Sequence, residues 1–242
     1  MFDHVTIRVS DLDASRRFYE LALGEPTHDT EHFIEWDDFG IAQMSDERPL
    51  TRRLHIGFAA PDRYFVDEWW RRMTTGGYES DGEPGVRPQY HESYYGAFVL
   101  DPDGNSVESV HHHTTKFGVA LIDHLWLRSP DLDEAERFYG TVAPVVGHRM
   151  VRAADPDRVR LSDGIGSFSF VDDGEPTENV HLAFGVPDRR TVENFHSVAT
   201  AGGFEDNGAP GERPQYHRGY YAAFVLDPDG HNVEAVFHDR RD

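Results

Sequence analysis

The chain has 242 residues, 38% hydrophobic and 12% aromatic, enough to core one or two domains and too apolar for disorder. Aspartate and glutamate total 44 against 23 lysines and arginines, a formal charge of −21, so neither nucleic acid nor an anionic membrane is an expected partner. With no cysteine there is no disulfide frame; no apolar run approaches the roughly 18 residues that span a bilayer, no basic-then-apolar start marks a signal peptide, and the expectation is a cytoplasmic protein.

Residues 2–9 (FDHVTIRV) alternate, which predicts a strand with Val5, Ile7 and Val9 on one face and His4, Thr6 and Arg8 on the other. Leu12, Phe18, Tyr19 and Ala22 recur at helical spacing over 11–22, with Ser10 or Asp11 to cap the start and Gly24 to end it. Two weaker strands are expected near 31–36 and 39–45. Residues 54–60 form another, with Leu54, Ile56 and Phe58 on one face and His55, Gly57 and Ala59 on the other. A helix over 62–75 closes at Gly76-Gly77, and DGEPGVRP (81–88) reads as a loop. Segments 94–100 and 105–111 flank Asp101-Pro102-Asp103-Gly104, a hairpin signal.

The second half repeats this order. Phe18-Tyr19 returns as Phe138-Tyr139, RPQYH (87–91) returns at 213–217, and AFVLDPDGNSVE (97–108) returns as AFVLDPDGHNVE (223–234). A polar stretch near 112–120 separates the copies, giving units 1–116 and 117–242. Each unit reads as two β-α-β-β motifs with a further short strand.

The apolar strand faces are expected to pack on helices, leaving the opposite faces to line a concave surface. In the first unit that surface receives His4, His55 and Glu108, with Glu108 opposite Ala97; in the second it receives His124, His181 and Glu234. Single strand histidines and glutamates are ordinarily structural. Here all three stay in both copies while their surroundings differ, ESYYG against RGYYA. Two imidazoles and a carboxylate suit Zn, Ni, Mn or Fe(II), and three protein ligands leave positions open for water or substrate. By hairpin register Tyr95 and Tyr221 share the face of Glu108 and Glu234; they are candidate catalytic hydrogen-bond donors, or else sheet-capping residues. His28 and His148 read as acid–base groups or surface residues. His91 and His217 read as loop surface, and His111-His112-His113 as a solvent-facing linker.

The segments DHV-x-I-x-V-x-DL-x-x-S-x-x-FY (3–19), HIGFAAPD (55–62) and FVLDPDG-x-x-VE (98–108), with their second copies, resemble the vicinal oxygen chelate superfamily. That superfamily includes glyoxalase I, bleomycin-resistance proteins and extradiol dioxygenases. The resemblance implies an α+β fold of four βαβββ motifs, forming two tandem glyoxalase-like units with curved mixed sheets around a divalent metal (Fe, Zn, Ni or Mn). Carried over in chain order, it groups the ligands as His4 with His55 and Glu108, and His124 with His181 and Glu234; alternatively the cups are built across the duplication. Four-ligand glyoxalases use a further acid where GIAQMS and GSFSFV offer only Gln43 and Ser169. Extradiol enzymes carry a catalytic histidine where Gly40 and Gly166 stand here. The implied activity is that of an isomerase, lyase or dioxygenase acting on a small-molecule substrate chelated through vicinal oxygens. The alternative is a bleomycin-resistance-like protein that sequesters a small molecule without turnover. A monomer or homodimer is expected.

Overall fold

The computed structural model describes residues 2–115, 117–154, 157–162 and 167–239; Lys116 at the expected unit boundary and Gly166 lie outside them. One β-α-β-β-β succession runs four times along the chain. The first is β1 (His4–Val9), α1 (Leu12–Leu23), β2 (His28–Asp29), β3 (Phe33–Trp36) and β4 (Phe39–Gln43). The second is β5 (His55–Ala59), α2 (Arg63–Thr75), β6 (Ser80–Val86), β7 (Tyr95–Leu100) and β8 (Ser106–His111). The third is β9 (Ile122–Arg128), α3 (Leu132–Val142), β10 (Arg149–Ala154), β11 (Asp157–Ser162) and β12 (Ser167–Val171). The fourth is β13 (His181–Gly185), α4 (Arg189–Ala201), β14 (Asp206–Glu212), β15 (Tyr220–Leu226) and β16 (Asn232–His238).

The chain divides into two compact units, Thr6–Leu127 and Met1–Val5 with Arg128–Asp242. Their edges fall inside the opening strand of each repeat, away from residue 116. Backbone pairing is the reason. The Asp3 N–H donates to the Ala183 carbonyl at 2.8 Å, and Gly57 on β5 pairs with His124 on β9. In the Thr6–Leu127 unit the strand order β9-β5-β8-β7-β6 includes a parallel β5–β8 pair, and β4-β3-β2 form an antiparallel run. The other unit repeats the scheme in β13-β16-β15-β14, with β13 parallel to β16, and in the antiparallel run β12-β11-β10.

Local chemistry sets the element ends. The Asp11 carboxylate accepts the Ala14 N–H at the start of α1, and Asp62 accepts the Phe65 N–H at the start of α2. Each helix then buries one stripe: Phe18, Tyr19 and Ala22 on α1, and Val66, Trp69 and Met73 on α2. The segments DGEPGV and NGAPGE, expected as loop, are the strands β6 and β14. They lie at the ends of their runs, and their register shifts at Pro84 and Pro210, where no ladder N–H is needed. No helix among the described residues is long and apolar enough to cross a membrane.

The β7–β8 turn is held from within. Asp101 Oδ1 accepts the N–H groups of Asp103 and Asn105 at 2.9 and 2.8 Å, and Gly104 adopts φ 82. Tyr19 of α1 donates its hydroxyl to Asp101 Oδ2 at 3.0 Å, tying helix to turn. Tyr139 does the same to Asp227 at 2.9 Å. In the first copy Asn105 Nδ2 also donates to Asp101 Oδ2 at 3.0 Å, whereas the second copy has His231 at that position. Tyr139→Phe is therefore expected to cost about 2–3 kcal/mol, near the upper end for a buried acceptor losing its donor, and Tyr19→Phe about 1 kcal/mol. Urea denaturation of the two variants measures this; equal losses would show that the asparagine offers no support.

Candidate metal centres

In the Thr6–Leu127 unit, β5 and β8 run parallel with Gly57 beside Glu108, and β9 lies antiparallel with His124 beside Gly57. A Cβ at Gly57 would overlap the His124 ring, and one at Gly96 would overlap the Glu108 carboxylate. Both glycines thus make room for functional side chains. The result is a tight triangle: His55 Nε2, His124 Nε2 and Glu108 Oε2 lie 3.2 Å from one another. Ligand atoms held about 2.0–2.2 Å from one metal ion are about 3.0–3.4 Å apart, so this spacing matches an edge of a coordination polyhedron.

The surrounding hydrogen bonds set which ring nitrogens face inward. Asp123 Oδ1 lies 3.0 Å from His124 Nδ1 and accepts its proton. His55 Nδ1 lies 3.2 Å from Ser106 Oγ, whose own hydroxyl is spent on Asp81 at 2.7 Å. Neutral imidazoles held in this way turn both Nε2 lone pairs inward. Glu108 is fully buried; Tyr94 donates to its Oε2 at 2.9 Å, while its Oε1 has no hydrogen-bond partner among the described residues. Three electron-rich atoms thus face one another out of water, a set that requires a cation among them. Without a metal, a proton takes that place. Burial opposes charge on His124, but the Asp123 and Glu108 carboxylates outweigh it and push its pKa up to about 10. Burial raises the Glu108 pKa, but the hydrogen bonds from His124 and His55 prevail and hold it below the usual carboxylate value.

The other unit builds the same triad from His4, His181 and Glu234. His4 Nε2 lies 3.1 Å from His181 Nε2 and 3.7 Å from Glu234 Oε2, and His181 Nε2 lies 3.0 Å from that oxygen. Asp3 Oδ1 sits 3.0 Å from His4 Nδ1. His181 Nδ1 lies between the Asn232 carbonyl oxygen at 3.1 Å and the Asn232 amide at 2.9 Å. Ala183 and Ala222 stand where the first unit has Gly57 and Gly96. The Glu234 carboxylate turns its Oε1 to Tyr220, which donates at 2.6 Å. Burial lowers the His181 pKa, opposite in direction to His124.

The outer hydrogen bonds also differ. Asp3 accepts from His238 Nε2 at 3.0 Å, and His238 Nδ1 lies 2.9 Å from His217 Nε2, a chain that ends at an exposed ring. In the first unit Asp123 bonds His112 Nε2 at 3.1 Å, but Thr114 Oγ1 closes His112 Nδ1 at 2.8 Å. His91 turns instead to Ser93 at 2.9 Å.

Of the two ways of pairing the motifs, the structure builds the cups across the duplication, not from consecutive motifs. His124 joins His55 and Glu108, and His4 joins His181 and Glu234, because the opening strand of each repeat pairs with the other repeat. The tyrosine expectation also needs correction. Phe98, not Ala97, pairs with Glu108, so Tyr94 takes the face assigned to Tyr95. Tyr95 donates to Asp67 at 2.7 Å and Tyr221 to Glu193 at 3.2 Å, both on the opposite face. The phenols at the carboxylates are Tyr94 and Tyr220, visible in the sequence only as the first of each Tyr-Tyr pair. His112, expected as linker, is mostly buried against Asp123. His28 is exposed, whereas His148 is half-buried with its ring 5.3 Å from Phe184. Gln43 donates to the Ser10 carbonyl at 3.0 Å and accepts the Leu12 N–H at 3.2 Å, serving as a structural pin.

A third cluster, Asp227, Asp229 and His231, differs in kind. The Val180 N–H donates to His231 Nδ1 at 3.2 Å, so the neutral ring carries its proton on Nε2 and offers no lone pair to an ion.

Residues 1–109 and 121–235 each match the Glyoxalase/Bleomycin resistance protein/Dioxygenase superfamily. The fold is similar to glyoxalase I from Zea mays, with a TM-score of 0.71 at 20% identity, covering 98% of this chain and 92% of that one. It is also similar to a protein from Bacillus subtilis named "putative dioxygenase", with a TM-score of 0.68 at 13% identity, covering 98% and 85% of the two chains. At these identities the likeness is one of fold. No curated protein matches the chain.

The raised His124 pKa has a measurable consequence in the metal-free protein. Its stabilising contribution is complete below the unfolded value of about 6.5 and fades as pH rises through about 10. Chelator-treated protein is expected to lose denaturant stability over that alkaline window, and His124→Gln to flatten the loss. An NMR titration placing the His124 ring near its ordinary value would contradict this.

Proposed function

Because the chain belongs to the Glyoxalase/Bleomycin resistance protein/Dioxygenase superfamily, we propose that it is a divalent-metal-dependent enzyme acting on a small molecule held through two adjacent oxygens. Two centres would hold the ions: His55, Glu108 and His124 in one unit, and His4, His181 and Glu234 in the other. The supporting observation is the convergence of two imidazole nitrogens and a buried carboxylate oxygen, with the Glu108 Oε1 left unpartnered. Iron, zinc, nickel or manganese suits this donor set. A bound divalent ion supplies Lewis-acid stabilisation of negative charge on a substrate oxygen, the requirement of isomerase, lyase or dioxygenase chemistry.

The chain's own groups have separate tasks. Asp123 and Ser106 orient His124 and His55 and hold protons at their outer nitrogens. Tyr94 remains a donor, because burial and the Glu108 charge push its pKa well above the ordinary phenol value. It therefore steadies the carboxylate and does not act as a base. Tyr220 does the same for Glu234, for the same two reasons.

Metal analysis of purified, untagged protein tests this reading. About two equivalents are expected, with His4→Ala and His124→Ala each removing about one. The groupings predict further that His4→Ala with Glu234→Ala loses about one equivalent, whereas His4→Ala with His55→Ala loses about two. Failure to take up Fe(II), Zn, Ni or Mn on reconstitution would overturn the reading. Small-molecule binding that survives full chelation would instead assign a sequestering protein.

A further inference from the structure

The antiparallel hairpin of β10 and β11 has two unlike faces. On one, Val159 and Leu161 are fully buried. Arg152 shares that side and is neutralised by Asp157 at 2.7 Å, Asp133 at 2.8 Å and Glu136 at 2.9 Å. On the other, register sets Arg149 opposite Ser162, Val151 opposite Arg160 and Ala153 opposite Arg158. Those six residues line a cavity of about 360 Å³.

Three guanidinium groups thus share one small concavity in a chain of net charge −21. Among the described residues neither Arg149 nor Arg158 has a carboxylate partner, and Arg158 Nε is buried without a hydrogen bond. Like charges on neighbouring strands repel, and a buried guanidinium N–H without an acceptor is costly. An acidic protein has ample means to neutralise Arg149 and Arg158, as it does Arg152. The corresponding hairpin of the first repeat, β2 and β3, carries His28, Phe33 and Glu35 on this face and no arginine. The cluster therefore belongs to one copy only.

We propose that this cavity binds a small organic anion carrying at least two negative charges. Its carboxylate or phosphate groups would be gripped by Arg149, Arg158 and Arg160, and its carbon skeleton would rest on Val151 and Ala153. Guanidinium forks match both oxyanions. The volume falls at the lower end of small-ligand sites, about 300–1,000 Å³. The strongly negative surface disfavours nucleic acid or an anionic membrane as the source of the phosphate. The inference is independent of the metal reading.

The test follows the arginine Nε–H signals of ¹⁵N-labelled full chain by NMR while citrate or pyrophosphate is added at low chloride, with and without chelator. Expected is a saturable, chelator-insensitive shift at Arg149, Arg158 and Arg160, with Arg152 unmoved. Val151→Glu, at a 45% exposed position, should weaken binding by at least about tenfold without lowering Tm, by placing a carboxylate among the guanidiniums. Arg158→Gln should weaken it likewise. Saturation by citrate alone assigns carboxylates, and by pyrophosphate alone phosphates. Overturning results are no saturable shift with either probe, equal shifts at Arg152, or binding that Val151→Glu leaves intact.

Discussion

Two imidazole nitrogens pointed at a carboxylate oxygen, out of water and 3.2 Å apart, are an electrostatic demand that the surrounding strands must satisfy. Much of the local architecture follows from it. The parallel β5–β8 pair sets Gly57 beside Glu108, and β9 brings His124 across the same glycine. Asp123 and the Ser106–Asp81 pair then settle the tautomers. Glycine at 57 and 96 is the steric condition for all of this, since a methyl group at either would occupy the space of His124 or Glu108.

The duplicated triad meets the same demand differently. With Ala183 and Ala222 in place of the glycines, one edge of the triangle opens to 3.7 Å and the carboxylate uses its second oxygen on Tyr220. Burial dominates at His181 and favours its neutral form, whereas two carboxylates dominate at His124 and favour its charged form. The outer bonds diverge as well: a histidine chain to solvent behind Asp3, and a threonine closure behind Asp123. Two copies of one motif thus present sites of distinct protonation, and the arginine hairpin of the second copy adds a difference in charge beyond the triads.

Much of the fold was legible because its signals are local. Alternation in FDHVTIRV, the cap Asp11, and the DPDG turn each depend on neighbours within a few residues. The strands β6 and β14 were hidden because glycine and proline are depleted from strand interiors, and only an end position with bulges tolerates them. Tyr94 and Tyr95 were exchanged because a shift of one residue in hairpin register moves every side chain to the other face. His112 looked like linker because its partner, Asp123, lies beyond the polar stretch.

By itself the sequence determined the repeat, the four β-α-β motifs, and the residue types that gather at two polar sites, since each is written in periodicity or in copied segments. Tertiary structure alone decided which histidine serves which glutamate. His4 is one strand in a repeat until its neighbour is known, and pairing across the duplication hands it to His181 and Glu234, giving His124 to His55 and Glu108. Strand partnership depends on backbone hydrogen bonds between segments far apart in the chain, such as Asp3 to Ala183, and no local pattern of side chains encodes them.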